Sequence, residues 1–154
     1  MVRTVGGSYD GSGMSVAIVL AEFNDMLTGQ LEKGAIDSLK KSGVAEADIT
    51  VYRAPGSFEI PALARKVVET DRYDGVICLG AVVRGETPHF EYVSSEVTRG
   101  VGKLSYDAEI PVVFGVITAG TVEQAINRAG VKAGNKGAEA AQALVRLAAV
   151  YRSL

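Results

Sequence analysis

The chain has 154 residues, 16 Lys+Arg against 18 Asp+Glu for a formal net charge of −2, 47% hydrophobic residues, one Cys, one His and no Trp. A chain of this length is expected to form one domain that buries roughly 68–70% of its unfolded surface, and without a basic stretch it lacks the charge that binding nucleic acid phosphates requires. Its longest apolar stretches, Val16 to Ala21 and Ile110 to Ile117, fall far short of the roughly 18–20 residues of a membrane-spanning helix, and one His with one Cys makes no zinc set without several carboxylates.

Residues 1–14 are expected to form an N-terminal arm, distinct from a single domain over 15–154. Val2 to Val5 could be a short strand, which the Gly-rich piece from Gly6 to Gly13 separates from the body. Such a terminus either frays or pairs with the sheet edge of a neighbouring subunit. With no apolar core it does not read as a secretory signal, and a single Cys, Cys78, suits a reducing, cytoplasmic compartment. Four apolar, β-branched runs come next: Ser15 to Leu20, Ile49 to Tyr52, Gly75 to Val83 and Pro111 to Ile117. They are continuous rather than alternating, as strands covered on both faces of a parallel sheet should be. Leu27, Leu31, Ala35 and Leu39 give the first helix, which should stop at Gly43 after Lys40 and Lys41. Pro61 suits the first turn of a helix running to about Thr70. Thr87 and Pro88 mark the start of the next, along which Val93, Val97, Val101 and Leu104 recur. Val122 to Ala129 and Lys136 to Tyr151 give two more, split by Gly130 and Gly134. The order β-α-β-α-β-α-β-α-α predicts a three-layer α/β/α sandwich on a four-stranded parallel sheet with right-handed crossovers.

Ligands of parallel α/β sheets bind outside the carboxyl ends of the strands, so the residues just after each strand bear on function. Glu22, Phe23 and Asn24 come after the first, and Pro55 to Glu59 after the second. Arg84 to His89 come after the third, and Thr118 to Thr121 after the fourth. In the third set a Gly precedes a capped helix start, which is a ready anion site; equally, Thr87 could merely cap its own helix. His89, the only His, would stand beside that anion, where an imidazole suits proton transfer near neutral pH; otherwise it is structural. Glu59 could accept hydrogen bonds from ligand hydroxyls or favour the positive start of its helix. Phe23 could stack on a flat heterocycle or pack against the first helix. Arg128 and Lys136 flank the two-Gly loop, as solvated charges or as cations reaching a phosphate. Gly11 and Gly13 precede the first strand and so are no dinucleotide fingerprint. Cys78, mid-strand, reads as a small buried thiol rather than a nucleophile.

Several strings then match something specific. Phe23-Asn24, Pro55-Gly56-Ser57-Phe58-Glu59-Ile60-Pro61, the run from Leu79 through Val82-Val83-Arg84-Gly85-Glu86-Thr87-Pro88-His89 to Val93, Phe114-Gly115-Val116, and the stretch from Glu123 through Arg128 to Asn135-Lys136-Gly137, including the Lys-Ala-Gly-Asn-Lys-Gly string over 132–137, resemble the lumazine synthases of riboflavin biosynthesis. The resemblance, from about Ser15 to Tyr151, implies a flavodoxin-like sandwich with an active site between adjacent subunits of a pentamer. It implies the penultimate step of that pathway: condensation of 5-amino-6-ribitylamino-2,4(1H,3H)-pyrimidinedione with L-3,4-dihydroxy-2-butanone 4-phosphate to 6,7-dimethyl-8-ribityllumazine, phosphate and water. No metal and no organic cofactor takes part.

On the same resemblance His89 is the general acid/base, and Phe23 stacks on the pyrimidine with Asn24 in the same substrate-binding set. Ser57, Phe58 and Glu59 hold the ribityl chain and neighbouring polar edges, while Val82 and Val83 lie against the heterocycle. Gly85, Glu86 and Thr87 bind phosphate; Arg128, Phe114 and Lys136 come from the next subunit. Glu86 sets an acid beside the phosphate, so its side chain should point away. The compact Gly130 to Gly137 linker looks like that of members whose twelve pentamers close into a 60-subunit icosahedral shell, and the arm then adds to a neighbour's sheet. Riboflavin synthase is a partner the resemblance allows. The alternatives are an inactive homologue that binds flavin or lumazine or builds a shell, and a flavodoxin-like electron carrier; Phe23, Glu59, His89 and Arg128 argue against the former.

Overall fold

A computed structural model describes residues 1–130 and 134–154; the first two residues of the 132–137 string, and residues 131–133 of the Gly130 to Gly137 linker, lie outside the described residues. Four parallel strands, β1 (Val16–Ala21), β2 (Ile49–Ala54), β3 (Gly75–Val83) and β4 (Val112–Ala119), pair in the order β2-β1-β3-β4. Five helices connect and extend them: α1 (Asp25–Lys41), α2 (Ile60–Glu69), α3 (His89–Asp107), α4 (Val122–Arg128) and α5 (Lys136–Arg152). This is the expected three-layer sandwich, flavodoxin-like in its strand order.

Side chains alternate along each strand, so a doubly covered sheet has two cores. Val16, Ile18 and Leu20 of β1 face Leu27, Leu31, Ala35 and Leu39 of α1 and Leu144 and Val145 of α5. Ala17, Val19 and Ala21 face the other way, toward Ile60, Ala64 and Val67 of α2 and Val97 and Val101 of α3. Every residue of β1 is buried, which is why its sequence is an unbroken apolar run.

The helix ends obey the punctuation in the sequence. Gly43 adopts φ 98°, and behind it the Val44 N–H donates to Leu39 O at 3.0 Å and the Gly43 N–H to Lys40 O at 3.0 Å. These two bonds close the last turn of α1, with buried Val44 as the apolar contact that accompanies such an ending. Pro61 lies in the first turn of α2. The start of α3 departs from expectation: the helix begins at His89, with Pro88 in the capping position. Thr87 Oγ1 accepts only a long bond, 3.4 Å, from the His89 N–H.

Val2 to Val5 are exposed and lie outside the sheet of their own chain, and the Gly-rich piece is attached to the body from Gly7 onward. Gly7 lies against the backbone of Arg146, and the Arg146 guanidinium stands 5.2 Å over the Tyr9 ring. The Gly11 N–H donates to Ser42 O at 2.7 Å, and Met14 is fully buried among the side chains of α1 and α5. Among the described residues no helix is long and apolar enough to cross a membrane.

Candidate functional site

The strand order reverses at β1, which has β2 on one side and β3 on the other. The chain leaving β1 turns to the face covered by α1 and the chain leaving β3 to the face covered by α3, and a crevice opens at the carboxyl ends of these two strands. A cleft of about 580 Å³ occupies that position, lined from the end of β1 by Phe23 and Asn24, from the turn after β2 by Pro55 to Glu59, from β3 by Ala81 to Val83, and from α3 by His89, Phe90, Tyr92 and Val93.

Each wall has a local cause. Asn24 takes the left-handed conformation, φ 65°, which Asn tolerates better than most residues, and its carbonyl accepts from the Leu27 and Thr28 N–H groups at the start of α1. Its Nδ2 donates to Ala81 O at 2.9 Å, tying the end of β1 to β3. The Asn24 amide therefore braces the floor, and Phe23 is turned outward beside it. Ser57 to Glu59 form a single 3₁₀ turn that runs into α2. A Cβ on Gly80 would stand 2.7 Å from Ser57 Oγ, so glycine in mid-β3 lets that turn settle onto the sheet. Ser57 is 7% exposed, whereas Phe23, Phe58 and Tyr92 are 71, 55 and 69% exposed. Three aromatic rings stand open to solvent around one cleft, so Phe23 is not packed against the first helix.

Of the segment after β3, only His89 is among the residues lining this cleft; Gly85, Glu86 and Thr87, expected at the phosphate, are not. Residues 84–89 are all exposed. A Cβ added to Gly85 would meet nothing within 4 Å, and its φ lies outside the left-handed range; the described packing does not demand a glycine there. Glu86 is exposed and pairs with no cation among the described residues. His89 opens α3 at the cleft wall, where its imidazole is exposed.

The remaining expected residues lie elsewhere. Phe114, Arg128 and Lys136 line a second cleft of about 510 Å³ along edge strand β4, with Val116, Thr118 and Glu139. Asn135 builds this corner: its Oδ1 accepts from the Ala138 N–H at 3.1 Å and caps α5, while its Nδ2 donates to Gln30 O at 2.9 Å and Ala129 O at 3.0 Å. Gly34 and Gly137 lack the Cβ that would collide there, with Asn135 and with the backbone of Leu31 respectively. Thr121 Oγ1 caps α4 from the Gln124 N–H at 3.1 Å. Lys136 Nζ stands 3.9 Å from Glu139 Oε2.

The structure thus gathers Phe23, Asn24, Ser57, Phe58, Glu59, Val82, Val83 and His89 in one cleft and sets Phe114, Arg128 and Lys136 in another. Tyr92, Phe90 and Ala81, which belong to the resembling run from Leu79 to Val93 without an expected site role, also line the cleft. The available signal for Tyr92 is its spacing, three residues beyond His89 on a helix and hence on the same face. Cys78 is fully buried, and burial pushes its thiol up to about 12, which keeps it protonated and inert.

Known proteins share this sequence pattern. The sequence model of the family described as 6,7-dimethyl-8-ribityllumazine synthase matches residues 13–152. Two curated relatives, from Anaeromyxobacter dehalogenans strain 2CP-C and Anaeromyxobacter sp. strain K, each called 6,7-dimethyl-8-ribityllumazine synthase, are 55% identical to it over 148 residues, covering 96% of this chain and 91% of theirs.

Proposed function

The chain belongs to the 6,7-dimethyl-8-ribityllumazine synthase family and is an enzyme of riboflavin biosynthesis, and from that premise we propose that its reaction takes place in the cleft between Phe23 and His89. The substrates are the ribitylaminopyrimidinedione and the butanone phosphate. One observation carries the assignment: the chain's only His opens a helix in the same cleft as an exposed aromatic ring and the Ser57–Glu59 turn.

The amine condenses with the ketone with loss of water, phosphate leaves, and the ring closes with loss of a second water. Each step moves protons, and His89 is the group at the cleft wall suited to giving and taking them near neutral pH. Phe23 stacks on the pyrimidine, with Val82 and Val83 against the heterocycle, and Asn24 keeps Phe23 in place. Ser57, Phe58 and Glu59 hold the ribityl chain. Gly85, Glu86 and Thr87 receive the phosphate through backbone and hydroxyl groups, with the open space at Gly85 admitting an oxyanion close to the chain. No metal or organic cofactor enters the scheme. Holding the two reactants together contributes as much as proton transfer, since orientation alone converts a bimolecular encounter into a unimolecular one.

Phe114, Arg128 and Lys136 reach a site of this kind from a neighbouring subunit, because in their own chain they line a different cleft. Contact of one patch with a different patch on the next copy closes into a ring; here the ring is a pentamer, with twelve pentamers in a 60-subunit shell and Val2 to Val5 added to a neighbour's sheet. Riboflavin synthase is the partner that consumes the product, and the compartment is the cytoplasm.

Mixing the purified protein with the two substrates should raise lumazine absorbance and fluorescence above the uncatalysed rate. His89→Ala should lower turnover by about ten- to a hundredfold with the oligomer retained on gel filtration. Turnover unchanged in that variant would remove His89 from the mechanism, and no acceleration by the folded wild-type oligomer would overturn the assignment.

A further inference from the structure

Residues 85–88 are exposed throughout, yet the proposed phosphate site requires the backbone N–H groups of Gly85 to Thr87 and the His89 side chain in one geometry. The two ends of this loop are joined by Arg84. Its own N–H donates to Ala119 O at 2.9 Å, which fixes its backbone to β4. Its side chain then crosses to α3, where Nη1 lies 3.4 Å from Glu91 Oε1 and Cζ lies 4.7 Å from the centroid of Phe90. Phe90 is itself packed against the α2–α3 core. The guanidinium therefore covers a ring anchored in the core, and both its partners come directly after His89.

We propose that Arg84 is a positioning residue for the reaction, a staple from the end of β3 to the first turn of α3 that holds the 85–88 loop and the His89 imidazole for the phosphorylated substrate. The inference rests on the reading of this cleft as the lumazine-forming site, and it adds a residue that acts through its neighbours. The first turn of a helix has no internal partners for its N–H groups and frays unless tied down. Donors aimed at an anion are effective only when already in place. An exposed ion pair alone contributes little, but a guanidinium that lies over a ring and is also paired to a carboxylate is held in two ways. Lysine can form the pair but brings a compact ammonium to the ring in place of the broad guanidinium.

The test compares Arg84→Met, Arg84→Lys and Glu91→Gln with wild type in the assembled enzyme. Arg84→Met should raise KM for the butanone phosphate and lower kcat by about three- to tenfold each, with KM for the pyrimidinedione within about twofold. Arg84→Lys and Glu91→Gln, which each keep one of the two attachments, should fall between. Because the chain has one His, its carbethoxylation by diethyl pyrocarbonate, monitored at 240 nm, reports His89 without any turnover. In Arg84→Met, protection of that imidazole by inorganic phosphate should need about three- to tenfold more phosphate. Equal protection and equal KM in Arg84→Met and wild type would overturn the staple, as would parallel changes in both KM values with a lost thermal transition. If wild type made no lumazine, the reading of the cleft would fall, and the phosphate concentration for protection in wild type against Arg84→Met would still decide the role of Arg84. Absence of protection in wild type would count against it.

Discussion

Gly85 and Gly80 are separated by five positions and are glycines for opposite reasons. At Gly80 a Cβ would collide with Ser57, so the chain's own packing demands the residue. At Gly85 the space beside the backbone is open, and the demand comes from outside the chain, from the phosphate proposed to lie there. The two cases separate by experiment. Gly85→Ala should leave the folded state intact and stabilise it slightly, by up to about 0.4–1 kcal/mol, because alanine restricts the unfolded chain. The methyl would occupy the oxyanion's approach, so KM for the butanone phosphate should rise by about tenfold or more, the equivalent of one lost charged hydrogen bond. KM for the pyrimidinedione should not change. Steady-state kinetics with each substrate varied in turn, beside a thermal melt, checks both halves, and an unchanged phosphate KM would mean that the anion lies elsewhere.

Among the elements, what the sequence discloses stops where a strand meets solvent. The apolar run of β2 ends at Tyr52, yet pairing continues through Arg53 opposite Leu20 to Ala54 opposite Ala21; that of β4 ends at Ile117, yet Thr118 pairs with Val82 and Ala119 with Val83. Both strands lie at the sheet edges, where a polar side chain can face water while its backbone stays in the ladder. β3 is interior, and its apolar run matches its length. Helix ends set by local chemistry, such as Gly43, are legible, as are the groups at strand ends that line the cleft. The Asn24–Ala81 brace spans 57 residues and leaves no local trace, and the Asn135–Gln30 bond spans 105. Asn135 also shows what such braces contribute. Asn135→Ala removes a helix cap and two side-chain donations, so it should destabilise the protein by about 1–3 kcal/mol. Asn135→Asp keeps the cap acceptor but turns a carboxylate toward the carbonyls of Gln30 and Ala129. It should be no more stable than the alanine variant, and an aspartate variant as stable as wild type in thermal denaturation would reduce the role of Asn135 to capping alone.

For the whole molecule the decisive feature is that the expected site residues outside the 85–87 loop fall into two clefts. If one copy supplies Phe23 and His89 and the next supplies Arg128 and Lys136, the contact joins unlike patches, and such contacts propagate around a ring until it closes. A site then belongs to a pair of subunits, which gives complementation arithmetic. In a ring assembled at random from equal amounts of His89→Ala and Arg128→Ala subunits, a site is intact only where the first copy retains His89 and its neighbour retains Arg128. Each condition holds for half of the positions, so about one quarter of the sites should be whole. Co-expression of the two variants should therefore restore about a quarter of wild-type turnover per subunit, while each variant alone stays depressed. The His89→Ala/Arg128→Ala double variant mixed with wild type supplies the control. A wild-type His89 beside a double-variant neighbour lacks Arg128, and the converse pair lacks His89, so only pairs of wild-type neighbours work, again about one quarter at equal amounts. Activity in that control should thus fall as the square of the wild-type fraction. A linear fall, with no recovery in the co-expressed single variants, would place Arg128 in the same subunit's site, full activity of Arg128→Ala alone would place it outside the reaction, and in either case the second cleft would need another role.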